Sequence, residues 1–308
     1  MFYQVVTKVV SDTGMKLSIA TPTFGNPRYL EKCIQSVVNQ SIPTMHIVCG
    51  GNLSFKTDIK SDYYKIIEET PDPGMVGCWN KAANLSETEY IAFLADDNML
   101  VSNYAETMVN FLDNHPDCDL VFCNQYHMEA DDSIDQEKSK QFTQLFGRDR
   151  LEAGIVDASR YESILKYNSI PMEACVIRKE TWLKYGPFLE KSKGSFDMEF
   201  LYRMLLNGVK IGFVPEYLMN FRWHEDAYCT RERKDHIIGS IWTTESLMAE
   251  SDQYRDFFKE KSVSLKGLLL RYKLKPKARI DLMLTLIKEK KGLQVVVKNT
   301  IAKFLGKK

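Results

Sequence analysis

Short apolar runs alternate with amphipathic stretches along the first 124 residues of the chain. The runs rich in β-forming residues predict five strands: Leu17–Thr21, His46–Cys49, Tyr64–Glu68, Tyr90–Leu94 and Leu120–Cys123. Apolar residues at helical spacing predict three helices between them, which cover Leu30–Val38, Met75–Leu85 and Tyr104–Asn114. Strands that alternate with helices are typical of a mostly parallel, three-layer α/β sheet.

The pattern changes after Asn124. A polar, acidic stretch at Glu129–Gln141 predicts an exposed loop or a mobile flap. Further on, the sequence predicts a strand at Cys175–Arg178, followed by a helix to Lys184 and a long helix at Phe196–Asn207. Two short strands are predicted at Ile211–Val214 and Asn220–Arg222, and helices from Asp235 onward.

Charge is unevenly distributed although the formal net charge is zero. The last fifty residues, from Lys259 to Lys308, contain fifteen Lys or Arg and three Asp or Glu, so an acidic body precedes a basic tail. The seven cysteines form no CxxC pair, which argues against a zinc site and favours reduced thiols in a cytosolic protein. No apolar run approaches the ~18–20 residues of a membrane-spanning helix.

Two adjacent carboxylates, Asp96 and Asp97, directly follow the strand predicted at Tyr90–Leu94. Ligands of open α/β sheets bind beyond the carboxyl ends of the strands. Neighbouring carboxylates repel each other unless a positive charge lies beside them, and a divalent cation that carries a phosphate group would supply it. The alternative is a solvated Asp-Asp-Asn turn.

Five segments, taken together and in this order, resemble the family 2 glycosyltransferases, which are inverting nucleotide-sugar enzymes of GT-A fold. The resemblance covers roughly Lys16 to Cys229. The segments are Leu17–Thr23 with the helix Tyr29–Ser41, Gly74–Ala82, the acidic pair Ala95–Asn98, Ser195–Arg203 followed by Gly208, and Phe221–His224.

The resemblance implies a role for each acidic residue of the pair. Asp97 would bind a divalent cation, Mn²⁺ or Mg²⁺, and Asp96 would contact the donor ribose or the cation through water. Carboxylate oxygens suit both ions. His224 would be a second metal ligand or a contact to the diphosphate, and the alternative is a packed surface histidine.

The donor nucleotide would bind residues of two other segments. The resemblance places Thr21, Pro22 and Thr23 against the base and ribose, and gives Asn80 a contact to the base. Ordinary turn chemistry is the alternative for the first three residues, and a structural cap for Asn80.

Asp197 is the candidate catalytic base, because the resemblance places it on the helix that carries the base. It would take the proton from an acceptor hydroxyl while that oxygen attacks the anomeric carbon with inversion. Glu199 is the second candidate. The alternative for Asp197 is an acidic residue that stabilises a helix N-terminus.

The chain departs from the resemblance after its second strand. Relatives carry acidic residues there, one of which reads the uracil ring, whereas this chain has Cys49-Gly50-Gly51-Asn52. Asp58 and Asp62 could substitute only if their loop folds back. The departure leaves the identity of the nucleotide open, and a glycine allows the backbone to approach the base closely.

We therefore expect an N-terminal extension (1–15), a GT-A domain (16–230) and a basic helical extension (231–308). The nucleotide half of the GT-A domain would cover about 16–124 and the acceptor half about 125–230. Residues Leu293–Leu305 have the spacing of a basic amphipathic helix, which favours an anionic membrane surface over nucleic acid, with docking on the acidic body as the alternative.

The expected function is metal-assisted transfer of a hexose or N-acetylhexosamine from a UDP-linked donor to a glycan or lipid-linked oligosaccharide. The protein would act in cell-surface polysaccharide synthesis, in the cytoplasm or at the inner face of the cell membrane. Two alternatives stay open. One is a glycosyltransferase-like binding subunit without turnover, and the other is a sugar nucleotidyltransferase.

Overall fold

A computed structural model describes residues 14–25 and 27–288. The chain divides into two compact units. The first comprises the described residues up to Pro187 together with Asn207–His224, and the second comprises Phe188–Leu206 together with the described residues from Glu225 onward. Each unit is thus built from two separate chain segments. The domain boundaries expected at residues 15 and 230 stay a prediction.

The first unit contains one sheet of ten strands. In chain order they are β1 Leu17–Phe24, β2 Thr44–Gly51, β3 Tyr64–Glu69, β4 Tyr90–Phe93, β5 Met99–Leu100, β6 Leu120–Met128, β7 Ile134–Asp135, β8 Gly154–Ile155, β9 Cys175–Arg178 and β10 Ile211–Arg222. The strand order is β3-β2-β1-β4-β9-β6-β10-β5, with β7 paired to β6 and β8 to β10.

Six strands of this sheet run in one direction. β3, β2, β1 and β4 pair in parallel, and so do β6 and β10. β9 is antiparallel to both β4 and β6, so those two strands run the same way. The carboxyl ends of β1, β2, β3, β4, β6 and β10 therefore share one edge, where ligands of open α/β sheets bind.

Helices of the first unit follow the strands in sequence. They are α1 Leu30–Val38, α2 Gly74–Asn84, α3 Tyr104–Asn114, α4 Gln136–Leu145, α5 Tyr161–Tyr167 and α6 Lys179–Tyr185. Apolar residues of β1 and β4 pack against those of α1 and α3 in the main core, among them Ile19, Val37, Ala92 and Met108. Burial of these side chains is the principal stabilisation of the sheet.

The second unit is helical in its described part. It contains α7 Phe196–Leu206, α8 Tyr228–Arg231, α9 Arg233–Glu250, α10 Arg255–Leu269 and α11 Pro276–Ile287. Val263, Leu270 and Leu286 form a small buried cluster between α10 and α11. The helix expected at 293–305 and the extension at 1–13 lie outside the described residues.

Two sequence predictions of secondary structure are wrong. The stretch predicted as an irregular loop at Glu129–Gln141 contains β7 and the first residues of α4. The two short strands predicted at Ile211–Val214 and Asn220–Arg222 are one strand, β10, whose register shifts between Val214 and Tyr217. Pro215 lies within this irregularity, because a proline cannot donate a ladder hydrogen bond and is tolerated at bulges.

Candidate active site

Thr23 and Asp96 meet at the carboxyl ends of β1 and β4. The Thr23 hydroxyl donates to Asp96 Oδ2 over 2.6 Å. Burial raises the pKa of Asp96 to about 6, although the hydrogen bond from Thr23 acts in the opposite direction. The neighbouring Asp97 carboxylate raises that pKa further. A positive charge at this position would relieve the repulsion between the two acidic groups.

Asp97 and His224 form the second contact of the site. His224 Nε2 lies 2.9 Å from Asp97 Oδ2, and the two side chains are largely but not fully buried, with 15% and 21% exposure. The His224 ring also packs edge-on against Tyr29, with ring centroids 5.3 Å apart. The arrangement brings together an acidic and an imidazole side chain that are 127 positions apart in the sequence.

Arg222 fixes the backbone on which Asp97 lies. Its buried guanidinium donates from Nε to the Asp97 carbonyl over 2.7 Å, and it forms an ion pair with Asp132 Oδ1 at 2.5 Å. The guanidinium carbon lies 4.1 Å from the centre of the Tyr29 ring. Since Arg222 also precedes His224 by two residues, one strand end positions both partners of the Asp97–His224 pair.

Asn98 and Glu173 hold the other side of the acidic turn. The Asn98 side chain accepts from the Arg222 backbone N–H over 2.7 Å and donates to Glu173 Oε2. Glu173 Oε2 also accepts from the Ala95 backbone N–H over 3.1 Å. The turn is therefore anchored at Ala95, Asp97 and Asn98, so the Asp96 and Asp97 carboxylates project from a backbone with little freedom.

Comparison with known proteins relates part of this chain to a glycosyltransferase family. Residues 18–158 match the model of glycosyl transferase family 2. This segment is similar to the family 2 glycosyltransferases. An uncharacterized glycosyltransferase of Methanocaldococcus jannaschii is 23% identical over 238 residues, which are 72% of this chain and 76% of that protein. The poly(ribitol-phosphate) beta-glucosyltransferase of Bacillus spizizenii is 31% identical over 108 residues, or 32% of this chain and 17% of that enzyme.

Solved structures confirm the GT-A fold. Residues 1–349 of S. aureus TarS in complex with UDP-GlcNAc superpose with a TM-score of 0.58 at 13% identity, covering 88% of this chain and 80% of that chain. The mannosyltransferase PcManGT of Pyrobaculum calidifontis in complex with GDP-Man and Mn²⁺ superposes with a TM-score of 0.56 at 12% identity, covering 95% and 88%. The chain spans 43% of the longer TarS polypeptide.

The carboxylate and imidazole atoms of the acidic turn are of the chemical type that binds a divalent cation. Among the described residues, no three His, Cys, Asp or Glu side chains converge to form a complete metal site. Mg²⁺ is commonly held by one or two carboxylates together with substrate phosphates and water. His224 Nε2 and Asp97 Oδ2 lie at a hydrogen-bond distance of 2.9 Å, so the two atoms are close enough to bind the same ion.

The structure places the other predicted donor residues at different depths. Thr21 is fully buried in β1, and its hydroxyl lies 2.8 Å from Nε2 of the buried His46. Burial lowers the pKa of His46 to about 3, so this imidazole is neutral. Pro22 is buried in the same strand, and Asn80 lies half-buried in α2. Their contacts with a donor stay a prediction.

Asp197 lies in the first turn of α7, in the second compact unit. Its Oδ1 accepts from the Met198 backbone N–H over 2.7 Å, and burial raises its pKa. Both oxygens of Glu199 accept from Arg203, over 2.7 and 3.0 Å. Because this two-bonded ion pair occupies the Glu199 carboxylate, Asp197 is the better candidate base of the two.

Sequence reasoning missed two residues of the acidic turn's support. Glu173 follows Pro171 in a short helical turn before β9, and Asp132 lies in the loop after β6. No spacing rule connects either residue with Asp97. The available signal was Asn98, which follows a buried strand, because a buried amide requires hydrogen-bond partners for its oxygen and its nitrogen.

Proposed function

We propose that the protein transfers one sugar from a UDP-linked donor to a hydroxyl of a growing glycan, with inversion at the anomeric carbon and with the help of a divalent cation. The observation that carries the proposal is the Asp96–Asp97 turn, which Thr23, His224 and Arg222 surround at the carboxyl edge of the sheet. A cell-surface polysaccharide or a lipid-linked oligosaccharide is the proposed acceptor class.

Asp97 and His224 would hold the cation, and the cation would neutralise charge on the departing diphosphate. Asp96, oriented by the Thr23 hydroxyl, would accept a hydrogen bond from a donor hydroxyl or from a bound water. Arg222 keeps the Asp97 carbonyl in place and has no direct part in the chemistry. Rigid placement of this kind contributes to catalysis because it is established before the substrate binds.

Asp197 would accept the proton of the acceptor hydroxyl as that oxygen attacks. A general base is most effective when its pKa lies near the working pH. Burial raises the pKa of Asp197, which makes its carboxylate a stronger base than an exposed aspartate. A single base that acts opposite the leaving diphosphate leads to inversion.

The first test is thermal stabilisation of the purified protein by UDP, GDP, CDP, ADP and their sugar derivatives, each with and without Mn²⁺. A ligand that binds the folded state raises the melting temperature by mass action. We expect a Mn²⁺-dependent shift that Asp97→Ala abolishes. The control is Asp58→Asn, which also removes one negative charge but in an exposed loop, and it should leave the shift intact.

Turnover separates the proposal from its alternatives. Release of nucleoside diphosphate from a nucleotide sugar, lost in Asp197→Asn while nucleotide binding persists, supports the enzyme. Nucleotide binding without turnover, with every acceptor and every metal tested, favours a non-catalytic subunit. Release of pyrophosphate from a nucleoside triphosphate and a sugar phosphate favours a nucleotidyltransferase.

A further inference from the structure

Strand β2 ends in two glycines whose missing side chains leave room for residues of other segments. A Cβ atom built on Gly50 would lie 2.7 Å from Thr23 Cγ2, and one built on Gly51 would lie 2.4 Å from Asp72 Cβ and 2.6 Å from Asp72 Oδ1. These distances are shorter than van der Waals contacts allow. The Asp72 carboxylate thus occupies the space that a side chain at position 51 would take.

The Asp72 side chain is held in this place by its own loop. It lies between β3 and α2, and its Oδ1 accepts from the Gly74 backbone N–H over 3.0 Å. Gly74 has a φ of +73°, a conformation that suits glycine. The residue is exposed, so its carboxylate remains accessible to a ligand at the carboxyl edge of the sheet.

An exposed aromatic ring projects from the same face. In the parallel pairing of β1 with β2, Thr23 is opposite Gly50 and Phe24 is opposite Gly51. Residues opposite each other project to the same face of a sheet, and successive residues alternate. Phe24 and the Asp72 carboxylate therefore lie on one face at neighbouring strand ends. Phe24 is 61% exposed, which is unusual for the last residue of an otherwise buried strand.

The loop after β2, which carries Asp58 and Asp62, packs on helix α1. Phe55 and Ile59 of this loop pack against Leu30 and Ile34 of α1. Asp58 is exposed in the same loop. The loop is therefore anchored on α1, whereas the Asp72 side chain lies beside Gly51 at the end of β2.

We propose that Asp72 reads the base of the nucleotide donor, with Phe24 as the surface on which the base stacks. The inference rests on the proposed function, because it concerns the donor of the same site. It specifies the substrate class as nucleotides whose base has a ring N–H on its Watson–Crick edge.

The chemistry of a carboxylate defines this class. An ionised carboxylate accepts hydrogen bonds and donates none. Uracil presents N3–H and guanine presents N1–H, so either base can donate to Asp72. Cytosine and adenine present a ring nitrogen lone pair at the corresponding position, which repels the carboxylate. Aromatic stacking tolerates every base, so Phe24 contributes affinity and Asp72 contributes selectivity.

The test compares dissociation constants of UDP, GDP, CDP and ADP for the full chain in the presence of Mn²⁺, by isothermal titration calorimetry. We expect the tighter of UDP and GDP to bind at least about tenfold more strongly than CDP and ADP, as a charge-assisted hydrogen bond would give. Asp72→Asn keeps the oxygen that Gly74 requires but adds a donor, so it should abolish most of that preference. Phe24→Ala should weaken all four nucleotides by similar factors.

Two further variants make the test specific. Gly51→Ala keeps the Asp72 charge but displaces the carboxylate, so it should reduce the preference for one base over another. The melting temperature of this variant verifies that it is folded. Asp58→Asn removes the same charge at an exposed position of the loop after β2 and should leave the preference unchanged. An unaltered preference in Asp72→Asn overturns the inference and leaves the proposed function standing. Tightest binding of CDP or ADP to the parent chain overturns the inference and also the UDP-linked donor, but leaves sugar transfer itself standing. A protein that binds none of the four nucleotides refutes both.

Discussion

The Asp96 carboxylate shows how one residue can make a site at the expense of stability. Its pKa of about 6 in the folded chain exceeds the ordinary value of 3.8, because burial disfavours the charged form. Protonation of Asp96 is therefore more favourable in the native state than in the unfolded chain. The stabilisation that this proton provides is complete below about pH 4 and is lost as the pH rises through about 6.

Asp96→Asn should consequently stabilise the protein at neutral pH. We expect the free energy of unfolding to rise by up to about 3 kcal/mol at pH 7, and to change little near pH 4, since one pKa unit corresponds to about 1.4 kcal/mol. Urea denaturation at both pH values measures the difference. Asp58→Asn is the control for the loss of one negative charge. A stabilisation of equal size at pH 4 and pH 7 would contradict the assignment.

Which residues meet at the site was only partly predictable. Asp96 and Asp97 end a strand, and the resemblance adds His224, so the sequence predicts a site at the strand end. The support from Glu173 and Asp132 depends on the path of two loops, which no local pattern encodes. The sequence likewise did not show that the hydroxyl of Thr21, a predicted donor contact, forms a hydrogen bond with the buried His46.

At the scale of elements, local periodicity predicted strands and helices well where one face is apolar. The bounds of α3 agree with the prediction, and α1 buries four of the five residues predicted on its apolar face, since both helices carry apolar side chains at helical spacing. Helix α4 was missed because its buried face is polar: Ser139 accepts from the His127 N–H over 2.8 Å, and Thr143 lies 2.8 Å from the Tyr217 hydroxyl. Its capping residue, Asp135, was the available signal.

Helix α9 gives a prediction that sets helix propensity against packing. A Cβ built on Gly239 would lie 1.8 Å from the Ser192 carbonyl oxygen, in the turn that precedes α7. Alanine favours a helix over glycine by about 1 kcal/mol, whereas a clash with backbone costs about 1–3 kcal/mol or more. We expect Gly239→Ala to lower the free energy of unfolding by roughly 1–3 kcal/mol. Thermal or chemical unfolding measures it, and a more stable variant would show that α9 and the turn can separate without cost.

The same variant should affect the proposed base. Ser195, two residues before Asp197, donates to the His236 carbonyl over 2.8 Å and lies 2.6 Å from the Ser240 hydroxyl. Displacement of α9 by a methyl group at position 239 would shift this anchor. At a temperature where the variant stays folded, we expect turnover to fall more than nucleotide binding, because the residues proposed to contact the nucleotide belong to the first unit.

At the scale of the whole molecule, the basic C-terminal tail is the feature that bears on membrane binding. No helix in the described ranges, 14–25 and 27–288, is both long and apolar enough to cross a membrane. Six lysines and one glutamate follow Lys288. We propose that this segment attracts the protein to anionic membrane surfaces, where each lysine contributes up to about 1 kcal/mol.

A chain that ends at Lys288 should bind anionic vesicles at least about tenfold more weakly than the full chain in a sedimentation assay. The cut follows α11 because Leu286 is fully buried against Val263 and Leu270, and an earlier cut would expose that cluster. Vesicles of neutral lipid are the control, on which both chains should bind weakly. Equal partitioning of the two chains on anionic vesicles would show that the tail has another partner.

The interleaved composition of the two units has a consequence for synthesis on the ribosome. Helix α7, which carries Asp197, is translated before α9, whose residues hold the turn at Ser192 and Ser195. Roughly forty residues separate the end of α7 from the end of α9, and at ~5–20 residues per second their translation takes seconds. A nascent chain would therefore complete its acidic turn, which requires His224, before α7 gains its partners. Premature termination near residue 230 would release a protein that has its acidic turn, but in which the proposed catalytic base, Asp197, lacks the helix that holds its turn.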